Sequence, residues 1–352
     1  MIVSLSSVSL IGLICLSAIV SAAPFAVDSS NNFPNPSPDQ IKIIEAVAHG
    51  SLPNGKPPAK VENNTLTSLR FIALNEFFEV AFYTSLIANV TQNVTGYDIK
   101  EPEAKKSLLA TLTAIQAQEE LHAINANNAL KNFKVDPIQP CLYQFPSTSV
   151  QDAITLATTF NDVVLGTLPD IQQLLGAAGD VGLIPGVGSV IGQEDPQSAL
   201  PFLTRATRDI AFSALNQAFV VKGSCPNSNT IALKIFEHLT VDAFGAKALA
   251  LHPSPQNLQF SFQLPAGGAK PNWSGLSLAF VNQQNVPVKA QLSCVLVKGN
   301  TVHFEAHFPF NGTTFGSGLT FAMLVSADAD FSTVPSLVQG PVVFGPALIE
   351  VN

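Results

Sequence analysis

Glu119 and His122 sit in the series Leu108, Leu112, Ile115, Glu119, His122, Ala126, whose steps of four, three, four, three and four put every member on one face of a helix. A carboxylate and an imidazole on an apolar stripe are cut off from water, so each needs a partner. A mutual Glu–His hydrogen bond, or a pair turned to the surface, is one solution. A metal ion is the other, because a Glu-x-x-His pair projecting into a helical bundle supplies half of a carboxylate-bridged metal site. Glu76 and Tyr83 favour the metal. They stand seven residues apart, two helical turns, on one face of a second apolar segment. Glu79 falls off that line and reads as a supporting or surface acid. His303, Glu305 and His307 alternate along an expected strand, but Val302, Phe304, Ala306 and Phe308 already give it an inward face. The three polar residues therefore read as a solvated outer face.

The elements that must position these groups follow from periodicity. Residues 24 to 38 are polar and proline-rich and read as a tether. A short helix is expected over 40–48, then a linker over 50–60. Leu66 to Ile87 is continuous, apolar and free of Gly and Pro, the pattern of one long helix. Pro102, followed by Glu103, opens a second helix running to about Phe133. A loop with Pro137, Pro140 and Pro146 leads to a third, from Val150 past Pro169 to Leu175. The glycine-rich stretch Gly176 to Gly192 lacks dinucleotide spacing and reads as a turn rather than a phosphate cradle. A fourth helical region is expected over 190–221, interrupted at Pro196 and Pro201, and a further helix over 231–251. After Pro255 the period changes: Leu258, Phe260, Phe262 and Leu264 alternate with polar residues, as do Leu276, Leu278 and Phe280. Helices followed by short alternating strands predict an α+β chain, a four-helix bundle over 61–252 and a small antiparallel β-sandwich over 253–352, with residues 23–60 as an extended N-terminal segment.

Glu76, Tyr83, Glu119 and His122 resemble the ferritin-like superfamily, whose first helix gives a Glu with a Tyr two turns on and whose second gives Glu-x-x-His. The resemblance implies a bundle site for one or two iron or manganese ions, with Glu119 bridging and Tyr83 supporting. It also implies a third-helix acid, for which Asp162 stands, and a second Glu-x-x-His, for which Glu194 with Gln197 stands. Pro196 disfavours helix at Asp195, so this half of the site is imperfect; Asp209-x-x-Phe212 has lost the His. Cys141-Leu-Tyr-Gln-Phe-Pro, Val220-Val-Lys-Gly-Ser-Cys225-Pro, Leu276-Ser-Leu-Ala-Phe-Val-Asn-Gln-Gln-Asn-Val-Pro and Val343-Phe-Gly-Pro-Ala-Leu-Ile-Glu are similar to a fungal family of secreted ferritin-like proteins named for late sexual development and stress response. The similarity spans about residues 38 to 352 and carries no established reaction with it.

Residues 2–20 are apolar or small, and Val20-Ser21-Ala22 offers a cleavage site after Ala22, so 1–22 reads as a secretory signal peptide. No later run reaches the roughly 20 apolar residues of a membrane helix. Asn63, Asn89, Asn93, Asn272 and Asn311 open glycosylation sequons, with Asn89 and Asn93 expected in one polar loop. Cys141 and Cys225 lie beside prolines in loop-like sequence and suit a disulfide in an oxidising compartment. Cys294, alternating with Leu292 and Leu296, is expected inside the sandwich. A net charge of −8 with scattered Lys and Arg excludes a nucleic-acid surface. The chain thus reads as a secreted, non-enzymatic extracellular protein with a degenerate carboxylate site and cell-wall or glycan contacts. The alternative is an iron or manganese oxidase or peroxide-protective protein; a glycan-binding β domain lacks an aromatic platform.

Overall fold

The computed structural model describes residues 24–27, 30–194, 201–241, 248–264 and 272–351, so the expected signal peptide lies outside the described residues. Helix α1 spans Pro38–Ala48, opened by a capping box between Ser37 and Gln40. α2 spans Asn63–Thr91 and α3 spans Pro102–Asn132, with Pro102 in the first turn where its missing N–H costs nothing. α4 spans Val150–Ala178, capped by Ser149 and closed by left-handed Gly179, and it carries Pro169 in its interior. α5 spans Ile184–Glu194 and α6 spans Arg208–Ala218.

α2 is long and apolar enough to cross a membrane by length and composition, but 78% of that window is buried inside the protein. Its apolar surface is spent on an aromatic core. Phe78 meets Tyr143, Phe145, Phe160 and Phe219 at 4.8 to 6.0 Å between ring centroids, and Phe82 meets Phe145 and Phe160. The Cys141–Cys225 disulfide is formed and ties the loop before α4 to the segment after α6.

Nine strands follow among the described residues: β1 Thr240–Val241, β2 Leu249–Leu251, β3 Gln256–Gln263, β4 Leu276–Asn282, β5 Val288–Ala290, β6 Ser293–Lys298, β7 Thr301–Phe308, β8 Gly318–Ser326 and β9 Val342–Val351, with helix α7, Val334–Gln339, before the last. One sheet has the order β1-β3-β7-β6 and the other β2-β9-β8-β4-β5. All pairs are antiparallel except β2 with β9. In the five-stranded sheet, Leu278, Phe280, Ala322 and Leu324 pack into the sandwich core with Phe260, Phe304 and Phe308. Their neighbours Ala279, Val281, Phe321 and Met323 pack into the core of the helical layer. The sheet is therefore covered on both faces, which is why β8 is buried along almost its whole length.

Five expectations are corrected. Residues 24–38 are not a loose tether: Phe25 pairs backbone to backbone with Tyr143, and Phe33 is buried against Phe77. The glycine-rich stretch is helical over α5, because packing on α4 overrides the glycine penalty; a Cβ on Gly188 would stand only 3.0 Å from Nε2 of Gln172. The expected fourth helical region is two helices, α5 and α6, with 201–207 non-helical between them and 195–200 outside the described residues. The helix expected over 231–251 is absent from the described residues: the chain runs extended past α6, held by Ser213 and Asp209 to the backbone of Phe236 and Lys234, and then enters β1 and β2. Cys294 is exposed rather than inward, since a bulge between Ser293 and Leu296 gives it a φ of 51° and breaks the alternation.

Candidate metal site

α2 and α3 lie side by side, with the Gln116 amide donating to the Thr84 hydroxyl at 2.7 Å. That register brings Glu76 on α2 level with Glu119 and His122 on α3. Nδ1 of His122 is 2.9 Å from Oε2 of Glu119 and 3.5 Å from Oε2 of Glu76. One ligand atom from each of the three residues lies within 4.8 Å of the other two. Both carboxylates are buried, and the His122 side chain retains 17% exposure, which gives the group a narrow opening to solvent.

The electrostatics are those of a crowded buried acid pair. Burial pushes the Glu76 carboxyl up to about 7, with His122 opposing and the charge of Glu119 adding to the rise. Burial pulls His122 the other way, but the Glu119 hydrogen bond and the nearby carboxylates of Glu119 and Glu76 outweigh it and hold the imidazolium well above 6.5. Oε2 of Glu76 is buried and has no hydrogen-bond partner. An orphaned carboxylate oxygen facing a second carboxylate and an imidazole nitrogen is what a divalent cation satisfies. Ligand atoms of one ion lie about 2 Å from it, so the group needs only a small contraction to share one. Two carboxylates and one imidazole suit iron(II) or manganese(II).

Among the described residues no other expected ligand joins this group. Asp162 is buried on α4, but it sits on the face of α4 that carries Gly166, one turn on, and this face packs against residues 204–206 and β8. Phe160, not Asp162, faces α2. Glu194 ends α5, its side chain outside the described residues, as is Gln197. Asp209 is engaged by the Lys234 N–H at 2.6 Å. Tyr83 is buried two turns from Glu76, its ring 5.4 Å from that of Phe82. His303 and His307 are exposed on the outer face of β7, with His307 3.3 Å from Asn257.

Two supporting acids were not distinguished by spacing. Glu79 is buried and accepts from the Asn75 amide at 2.9 Å, and Glu120 is buried and accepts from Asn31 at 2.7 Å. The second bond, with Phe33 against Phe77, straps the N-terminal segment across both ligand-bearing helices, one residue on from Glu119 and from Glu76. Of the sequon asparagines, Asn63, Asn93, Asn272 and Asn311 are exposed, whereas Asn89 is half-buried in the last turn of α2 rather than in the loop.

No curated protein is significantly similar to the chain. Residues 65–179, which contain α3, α4 and all but the first two residues of α2, match the family described as Ferritin-like domain. That segment holds Glu76, Glu119 and His122, so the ligand group belongs to a ferritin-like domain, followed in this chain by a β-rich C-terminal region.

Proposed function

We propose that this is a ferritin-like protein that holds a single divalent ion, iron or manganese, between Glu76, Glu119 and His122, and that it works outside the cell without turnover. The observation that carries this reading is the buried Oε2 of Glu76, which makes no hydrogen bond, beside the Glu119–His122 pair. Bound there, the ion would neutralise two buried carboxylates and lock α2 to α3, a stabilising role that needs no substrate. Oxidase chemistry of the two-ion kind needs a second set of ligands, and Asp162, the expected third-helix acid, is committed to the face turned toward the sheet.

Export is part of the proposal. The apolar residues 2–20, the five sequons and the Cys141–Cys225 disulfide support a secreted glycoprotein, because a structural disulfide persists in oxidising compartments. The motifs that resemble the fungal secreted ferritin-like proteins support a role in development or stress response, with cell-wall contact. The alternative reading, an iron or manganese oxidase or peroxide-protective protein, keeps Tyr83 as a hydrogen-bonding or electron-donating neighbour.

Oxygen uptake with excess iron(II) separates the two. The proposal expects stoichiometric binding and an oxidation rate equal to that of free iron. Many turnovers per chain, abolished by Glu119→Ala, would establish the oxidase instead.

A further inference from the structure

Glu119 is gripped on both sides along α3. The residue before it, Gln118, donates its amide to the Ala48 carbonyl at the end of α1 at 3.2 Å and accepts from the Gln193 amide of α5 at 3.0 Å. The residue after it, Glu120, is buried and accepts from the Asn31 amide at 2.7 Å. One N-terminal segment, Asn31 to Ala48, thus meets α3 both before and after the ligand. The same segment reaches α2 beside the other carboxylate. Phe33, 2% exposed, packs edge-on against Phe77 with ring centroids 5.5 Å apart, and Phe77 follows Glu76.

The segment is built to act as one piece. Asn31 joins two of its anchors, because its Oδ1 accepts from the Phe33 N–H at 3.0 Å while its Nδ2 holds Glu120. Asn32 and Asn35 close the turn that follows: the Asn35 N–H and the Asn32 amide each donate to the other residue's carbonyl. The capping box of Ser37 and Gln40 then fixes the start of α1, whose Ile44 and Ala48 are buried in the helical core.

Helix geometry turns these grips into control of the site. Successive residues point about 100° apart around an α-helix. Glu76 and Glu119 face each other, so Phe77 and Glu120 are turned aside, toward the N-terminal segment. A rotation or slide of α2 or α3 that opened the ligand group would pull on Phe33 or Asn31. An ion tolerates little such movement, since its ligand distances hold to within about 0.2 Å. Groups behind the ligands set metal affinity by about 10–100-fold for that reason.

We propose that the segment Asn31 to Ala48 is a clamp that sets the spacing of the metal ligands and slows release of the ion, with Asn31 and Phe33 as its positioning residues. The clamp rests on the metal reading above and adds to it what retains the ion. Both residues act through the neighbours of the ligands, Glu120 and Phe77, rather than on the ion.

The test is manganese(II) titration of the full disulfide-bonded chain, with the rate of release into excess chelator, in parent, Asn31→Ala, Asn31→Asp and Val90→Ala. Asn31→Asp keeps the acceptor for the Phe33 N–H but sets a carboxylate against Glu120. Val90 is fully buried near the far end of α2, roughly four turns from Glu76, so Val90→Ala is the control for lost stability alone. Urea midpoints of the metal-free proteins put the variants on one stability scale. Both Asn31 variants should bind manganese about tenfold more weakly or worse and release it faster, Asn31→Asp the more so, while Val90→Ala binds as the parent does. Parent-like affinity and release in both Asn31 variants would overturn the clamp. So would a loss of affinity in Val90→Ala that tracks its urea midpoint as closely as the Asn31 variants track theirs. A parent that takes up no manganese gives a different result, since the metal reading itself then falls and the clamp with it.

Discussion

His122 on α3 stands 3.5 Å from Glu76 on α2, close enough for an ion pair, yet the facing oxygen Oε2 of Glu76 makes no hydrogen bond. In a buried setting that arrangement is costly without a further charge. Glu119 adds a second carboxylate rather than relieving the first. A divalent cation resolves the conflict, because it supplies two positive charges where a protonated imidazole supplies one.

Metal binding at this group must displace protons, since Glu76 and His122 both hold theirs more tightly than usual. Affinity should therefore rise with pH between 5 and 8, by up to about tenfold per unit for each proton released. Isothermal titration with manganese(II) in buffers of different ionisation enthalpy measures both the slope and the proton count. An affinity flat across this range would mean that the ion binds elsewhere.

The Glu119→Ala variant removes the ligand that hydrogen-bonds to His122 and has no substitute on its stripe. It should lose stoichiometric metal altogether, while Asp162→Asn should keep it. Elemental analysis of both proteins decides this, and metal lost equally from the two would return Asp162 to the site.

Much of this site was legible in spacing. Glu119 and His122 announced themselves because α3 is apolar at every other position of that stripe, and Glu76 because α2 has so few charged residues, Arg70, Glu76 and Glu79 alone. The β-sandwich was legible where one face is wet, as in β3 and β7, whose burial alternates strictly over much of their length. Asp162 misled because a position near the middle of a bundle helix says nothing of a sheet packed on its far side. The segment 231–251 is rich in helix-compatible residues, and only the demand of α6 for backbone partners, met at Lys234 and Phe236, draws it out straight.

Gly166 is where α4 and the 204–206 segment touch backbone to backbone, so Gly166→Ala should destabilise the fold by about 1–3 kcal/mol or more through forced separation. Urea unfolding reads the change, and a variant as stable as the parent would show that the two segments part without cost.

The Cys141–Cys225 bond closes a loop with a sequence separation of 84. By chain entropy it should contribute about 4 to 5 kcal/mol through the unfolded state. Replacing both cysteines by Ala and comparing unfolding free energies checks it; equal stability would leave the bond with no such part in the fold.

The most direct test is the metal content of the secreted chain, purified without chelator from medium containing iron and manganese. The account predicts close to one divalent ion per chain, absent from Glu119→Ala. Two ions per chain, or none in the parent, would contradict it.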